Sequence, residues 1–349
     1  MAQCAGPLNT RRASRASDTS AAGRGRRRRT HREREVRILA DGRIAGPPFR
    51  PLSPRFMEGR ACSSVVMGRG NHQDEARSSR QLLKLTEGQL AYETAGEGRP
   101  VLFIHSVIAD SRMWDREFSL YARRGQAIRF DLRGFGGSSP ASAPFSYVED
   151  IGSLLADLHV RRPFLVGSSM GGAIALDFAV ENPQMVEGLL LAAPGLSGGL
   201  EPPFSPEERA AFDYDDRKSA GVAQAWSRGD ATAAFDLLRQ LWCSALEGPS
   251  LELFRTMVQQ NALEVFENRS MRHATGPPPA APRLAGIEAP TTILLGDRDN
   301  PSSVPFAQRI AKSIGGARLV TVAGADHLVN LSCPDRFDEA LTAALAWVG

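Results

Sequence analysis

Residues 163–183, "PFLVGSSMGGAIALDFAVENP", run from a short apolar stretch into a longer Ala- and Leu-rich one through Gly-Ser-Ser-Met-Gly-Gly, and few folds accommodate such a corner. The first stretch, Pro163 to Val166, reads as a buried strand; the second, from Met170, reads as a helix stopped by Pro183. A strand that passes straight into a helix needs tight backbone angles and little bulk, which Gly167, Gly171 and Gly172 supply. The spacing G-x-S-x-G fits one register, centred on Ser169, because centring on Ser168 would put Val166 and Met170 at the glycine positions. Ser169 would then hold its hydroxyl above the carboxyl edge of a sheet, with the Met170 N–H facing an oxyanion. The bland alternative for so short a motif is a Gly/Ser turn without chemistry.

A serine hydroxyl is a weak nucleophile without a base, and the base needs an orienting acid. Downstream, "TTILLGDRDN" (291–300) is an apolar strand followed by Asp297 and Asp299, and "LVTVAGADHLVN" (319–330) is a strand followed by a loop holding His327. The order Ser, Asp, His, each just past a strand, distinguishes one serine hydrolase plan from the others. Taken alone, His327 would be read as a surface loop histidine; the ordered partners make it a candidate base.

With these stretches, "VLFIHS" (101–106), "FDLRGFGGSS" (130–139) and "AGADHLVNLSCPDRF" (323–337), the chain resembles the α/β-hydrolase superfamily over nearly all of residues 81–349, with a finer similarity to 3-oxoadipate enol-lactonase-like members. The resemblance implies an α/β-hydrolase fold: a mostly parallel eight-stranded sheet, helices on both faces and an inserted helical lid. It implies Asp299, at the G-x-x-D position, as the triad acid ahead of Asp297. Some members carry the acid after the strand that follows the elbow helix, but here that strand, "VEGLLLAAPG" (186–195), ends without a carboxylate. It further implies an oxyanion hole of the Met170 and Val107 backbone N–H groups. The chain departs from the family at Ser106, where members commonly read His-Gly. A residue larger than glycine is tolerated there only at negative φ. His105 is expected to be structural.

"DLRGFGGSS" is read as a tight turn beside the site, since it lacks the G-K-[ST] ending of a phosphate loop and the glycine spacing of a dinucleotide fingerprint. The six histidines show no H-x-H or H-x-x-x-H pair, so neither metal nor cofactor is expected. The four cysteines, Cys4, Cys62, Cys243 and Cys333, are far apart and suggest reduced thiols in a cytoplasmic protein. No apolar run reaches the ~20 residues of a membrane span.

Net charge is +3, yet residues 1–80 hold 18 arginines against 7 acids while the remainder holds 24 basic against 32 acidic residues. The first segment, with "GRGRRRRTHRERE" (23–35), lacks apolar periodicity and is expected to be a disordered Arg-rich extension. Its readings are an anionic-surface or transit segment, or an over-extended start with Met57 or Met67 as the true beginning; nucleic-acid binding is the disfavoured one.

From residue 81 a hairpin, the strands at 101–106 and 126–130, and helices near 111–123 and 147–159 build the first core segment (81–200). The helix at 147–159 places Val148, Ile151, Leu154, Leu155 and Leu158 on one face. Alternating strands and amphipathic helices make a parallel sheet covered on both sides. A span of three helices (206–228, 230–245, 250–267) and the loop "GPPPAAPR" breaks this rhythm and is expected to be the lid (201–282). In it Trp226, Phe235, Trp242, Met257, Phe266 and Met271 would line a pocket or form lid core. The second core segment (283–349) ends in a helix at 335–348.

The expected function is cofactor-independent hydrolysis of a small-molecule carboxylic ester or lactone through an acyl-enzyme on Ser169. Thioesterase, C–C bond hydrolase and haloperoxidase chemistry on the same fold, or a non-catalytic ligand-binding protein, are the alternatives; a homodimer is left open.

Overall fold

The computed structural model describes residues 80–348, together with the backbone of a two-residue antiparallel ladder between Arg37–Ile38 and Ile44–Ala45. The Arg-rich extension expected to be disordered, the alternative start sites and Cys4 and Cys62 lie outside the described residues, that ladder's backbone aside.

Eight strands form one sheet: β1 (Gln81–Lys84), β2 (Gln89–Ala95), β3 (Pro100–Ile104), β4 (Gln126–Phe130), β5 (Phe164–Ser168), β6 (Gly188–Ala192), β7 (Thr291–Gly296) and β8 (Arg318–Val322). Their order across the sheet is β8-β7-β6-β5-β3-β4-β2-β1. The pairings from β8 through to β4 are parallel, while β2 runs antiparallel to both β1 and β4. β3 ends at Ile104, two residues short of the expected 106, and so leaves His105 and Ser106 in a loop.

The central strands β3, β5, β6 and β7 are apolar on both faces because both are covered. Leu102, Ile104, Leu165, Leu189, Leu191, Ile293 and Leu295 point into one core with α2 (Tyr147–Asp157), α3 (Met170–Glu181) and α8 (Ser303–Ser313). Their neighbours Val101, Phe103, Phe164, Val166, Leu190 and Leu294 point into the other, with α1 (Asp115–Tyr121), the short α9 (Val329–Ser332) and α10 (Pro334–Val348). The period-two alternation of strand side chains thus sorts one apolar run into two cores. In α2, Ile151, Leu154 and Leu155 are buried and Val148 and Leu158 half-buried, as the 3.6-residue period requires. Ser146 caps this helix by accepting from the Glu149 N–H.

Between β6 and β7 the chain forms α4 (Pro206–Ser227), α5 (Ala231–Trp242), α6 (Gly248–Gln260) and α7 (Ala262–Glu267). α4 opens with a full capping box, Ser205 and Glu208 bonding each other's backbone N–H, with Pro206 in the first turn. The helix expected at 250–267 is broken at Asn261, whose side chain is spent on the core: its Nδ2 donates to Asp110 Oδ2 (2.7 Å) and its Oδ1 accepts from the Gly136 N–H (2.8 Å). Phe235, Phe254 and Met257 of the insertion are buried in the same apolar cluster as β3 and α10. Trp226 stacks on Phe266 at 4.6 Å, and Met271 opens a short 3₁₀ turn. Among the described residues no helix is long and apolar enough to cross a membrane.

Candidate active site

Ser169 sits between the last residue of β5 and the first of α3 with φ 53° and ψ −115°, a left-handed conformation costly for a side-chain-bearing residue. Surrounding backbone over-determines it: the Ser169 N–H donates to Ala192 O on β6 (2.9 Å), and its own carbonyl accepts from Gly172 and Gly195 (both 2.9 Å). The neighbouring glycines permit the close approach. A Cβ at Gly171 would overlap the carbonyl oxygens of Ile104 and His105, and one at Gly167 would overlap the Gly171 backbone. Of the two serines, Ser168 is fully buried with no partner for its Oγ among the described residues, whereas the Ser169 hydroxyl lies against His327.

His327 Nε2 is 2.8 Å from Ser169 Oγ, and its Nδ1 is 2.9 and 3.1 Å from the two carboxylate oxygens of Asp299. A carboxylate can only accept, so Nδ1 carries the proton and Nε2 is left to accept the serine hydroxyl. Asp299 is nearly fully buried and its Oδ1 also accepts the Asn300 N–H at 2.6 Å. Asp297 instead accepts the Gly324 N–H at 2.7 Å and does not reach the histidine. Burial alone would lower the His327 pKa, but the Asp299 carboxylate, with Asp326 and Asp215 further off, outweighs it and raises the value above that of an ordinary histidine.

Val107 follows the β3 loop, and neither Ser106 nor Val107 has positive φ, so serine is accommodated in place of glycine without strain. The turn's own hydrogen bonds run from Ala109 N–H to Ser106 O (3.1 Å) and from Ile108 N–H to Ser106 Oγ (3.4 Å), and neither uses the Val107 N–H. His105 is fully buried. Its Nδ1–H donates to Ser106 O (2.8 Å) and its Nε2 accepts the Leu132 N–H (2.9 Å), which fixes a neutral tautomer and a structural role; burial lowers its pKa accordingly.

The "DLRGFGGSS" turn is likewise structural. Buried Asp131 accepts from the Ser111 and Gly137 N–H groups (3.0 and 2.8 Å), and Arg133 pairs bidentately with Asp150 (2.7 and 2.8 Å) beneath Phe145.

Several neighbours of the site carry no sequence motif. The Trp242 carbonyl accepts the His327 N–H (3.1 Å), Asp326 Oδ2 accepts the Ala245 N–H (2.9 Å), and Asn330 Nδ2 donates to Met113 O (2.7 Å). Asn300 Nδ2 donates to Asp215 Oδ1 on α4 at 2.7 Å. Only their closeness in sequence to Asp299 or His327 could have drawn attention to Asn300, Asp326 and Asn330; nothing local marks Asp215.

A profile described as "Alpha/beta hydrolase family" matches residues 101–340. An AB hydrolase superfamily protein of Bacillus subtilis, YisY, is 25% identical over 245 residues, 68% of this chain and 88% of its own length. Among solved structures, a thermophilic esterase from Thermogutta terrifontis superposes with a TM-score of 0.62 at 25% identity, over 78% of this chain and 99% of the esterase. An N-acyl homoserine lactone degrading enzyme superposes with a TM-score of 0.58 at 25% identity, over 75% and 99% of the two chains.

Proposed function

Because the chain belongs to the alpha/beta hydrolase family, we propose that it is a cofactor-independent serine hydrolase that cleaves a small-molecule carboxylic ester or lactone. The observation that carries this reading is the continuous hydrogen-bonded line from Ser169 Oγ through His327 to Asp299, on a serine held at positive φ. His327 Nε2 takes the hydroxyl proton as Oγ attacks the carbonyl carbon. The Met170 and Val107 N–H groups stabilise the oxyanion, and the imidazolium formed is held by Asp299. His327 then returns its proton to the leaving oxygen, and a water deprotonated by the same imidazole releases the acid from the acyl-enzyme. A serine at the elbow, rather than a carboxylate, favours oxygen acylation over displacement at an alkyl carbon. The similarity to an esterase and to a lactone-degrading enzyme supports the choice of ester and lactone substrates.

The test is covalent labelling with a fluorophosphonate, read by intact mass and by the labelled peptide, beside Ser169→Ala. A single adduct on Ser169, followed by turnover of p-nitrophenyl esters or lactones, is expected. An unlabelled chain of normal fold would overturn the reading.

A further inference from the structure

Asp215 lies on α4, 46 residues after Ser169 and 84 before Asp299 in sequence, and its carboxylate is turned into the protein. It accepts the Asn300 Nδ2–H at 2.7 Å. Asn300 is itself buried: its Oδ1 accepts the Ser302 N–H at 3.0 Å, and its backbone N–H is the 2.6 Å donor to Asp299 Oδ1. The amide side chain of Asn300 is thereby tied on one side to the α8 entry and on the other to α4, and its main chain donates to the carboxylate that orients His327. α4 is seated on α8 by a ring series, Phe204 to Phe212 at 5.1 Å and Phe212 to Phe306 at 6.0 Å.

We propose that Asp215 is a positioning residue for the Asp299–His327 pair, acting through Asn300, so that the inserted helix α4 is part of the proton-transfer machinery. The inference rests on the hydrolase reading only for its kinetic consequence. Two effects follow from one carboxylate. The hydrogen bond fixes the loop that presents Asp299, and the negative charge adds to the field at the imidazole. The groups facing His327 are Asp299 from the loop after β7, Asp326 from its own loop, and Asp215 from α4; Asp216 adjoins Asp215, and Cys243 at the end of α5 is a buried thiol held neutral beside Asp326 and Asp299. Burial raises the Asp215 carboxyl to about 6, against the Asn300 hydrogen bond, so at pH 7 and above it is predominantly the charged acceptor.

The experiment follows the His327 Cε1–H resonance of the full chain by NMR against pH, assigned by its loss in His327→Gln, alongside the pH profile of kcat/KM on p-nitrophenyl acetate. In Asp215→Asn, which keeps an acceptor oxygen for Asn300 but removes the charge, the His327 midpoint and the acid limb of kcat/KM both move to lower pH. Asp215→Glu returns the midpoint toward that of the unaltered chain. Asn300→Ser, which breaks the link but keeps the charge, lowers plateau kcat by about tenfold. An unmoved His327 midpoint in Asp215→Asn, or full kcat in Asn300→Ser, overturns the proposal. Should the midpoint move while Ser169 takes no phosphonate, the hydrolase reading falls and the Asp215 link stands.

Discussion

The Trp242 ring lies 4.5 Å from the His327 imidazole, centroid to centroid, and the Trp242 carbonyl accepts the His327 backbone N–H at 3.1 Å. One residue at the end of α5 thus fixes both the main chain and the ring plane of the candidate base. Trp242→Ala keeps the carbonyl but frees the imidazole to turn, and kcat for ester hydrolysis is expected to fall roughly tenfold to a hundredfold. Trp242→Phe, with a ring still in place, is expected to retain most activity. Steady-state kinetics on the two variants checks this.

At Ser169 the usual ranking of glycine and alanine reverses. A residue with a Cβ at φ 53° and ψ −115° carries roughly 1–3 kcal/mol of strain, whereas glycine loses about 0.5–1 kcal/mol more in chain entropy than alanine. Ser169→Gly is therefore expected to unfold at higher urea concentration than Ser169→Ala. Both variants lose phosphonate labelling.

Gly171→Ala tests the close approach of the elbow to the β3 loop. Its Cβ would meet two backbone carbonyl oxygens, of Ile104 and His105, that cannot rotate away. The change is expected to cost about 3 kcal/mol of stability and to abolish hydrolysis, because relief requires moving the loop that bears Val107. Denaturation midpoints and kcat measured together decide it.

Glu117 on α1 supplies the clearest pH dependence of stability. Burial pushes its carboxyl up to about 8, against the weaker opposing effect of hydrogen bonding from its own backbone and from the Asn330 side chain. Between the ordinary value of 4.5 and about 8 the folded chain keeps a proton that the unfolded chain releases. The unfolding free energy therefore falls as pH rises across that window, by at most about 1.4 kcal/mol per unit from this group, and levels above it. Glu117→Gln, neutral throughout, is expected to lose that slope in denaturation midpoints measured from pH 5 to 9.

The strands and the elbow were legible in the sequence because their signals are local: apolar runs between glycines and prolines, and small residues at fixed offsets around Ser169. Asp297 and Asp299 both follow one strand end and His327 follows another, so the choice of Asp299 comes from the resemblance and that of His327 from its ordered partners, not from a local signal at either residue. The break at Asn261 was not legible, because a contiguous helical pattern from 250 to 267 conceals that this side chain is needed by Asp110 and Gly136, over a hundred residues earlier. Trp242 reads as pocket lining or lid core for the same reason: helical spacing marks it as apolar, and only the folded chain brings it to His327. Nothing local distinguishes Asp215 from the other acids of α4, Glu207, Glu208, Asp213 and Asp216, and only the folded chain brings it to Asn300.

The backbone of His327 is held by Trp242, and the Asp326 beside it by Ala245, both supplied by the insertion between β6 and β7. A chimaera that exchanged these helices for those of a relative, in order to change what the chain accepts, would also exchange the scaffolding of the candidate base His327. On the serine hydrolase reading, substrate range and turnover are therefore expected to be inherited as one module, and successful grafts to be those that bring a carbonyl and a flat ring of their own to the end of the second inserted helix.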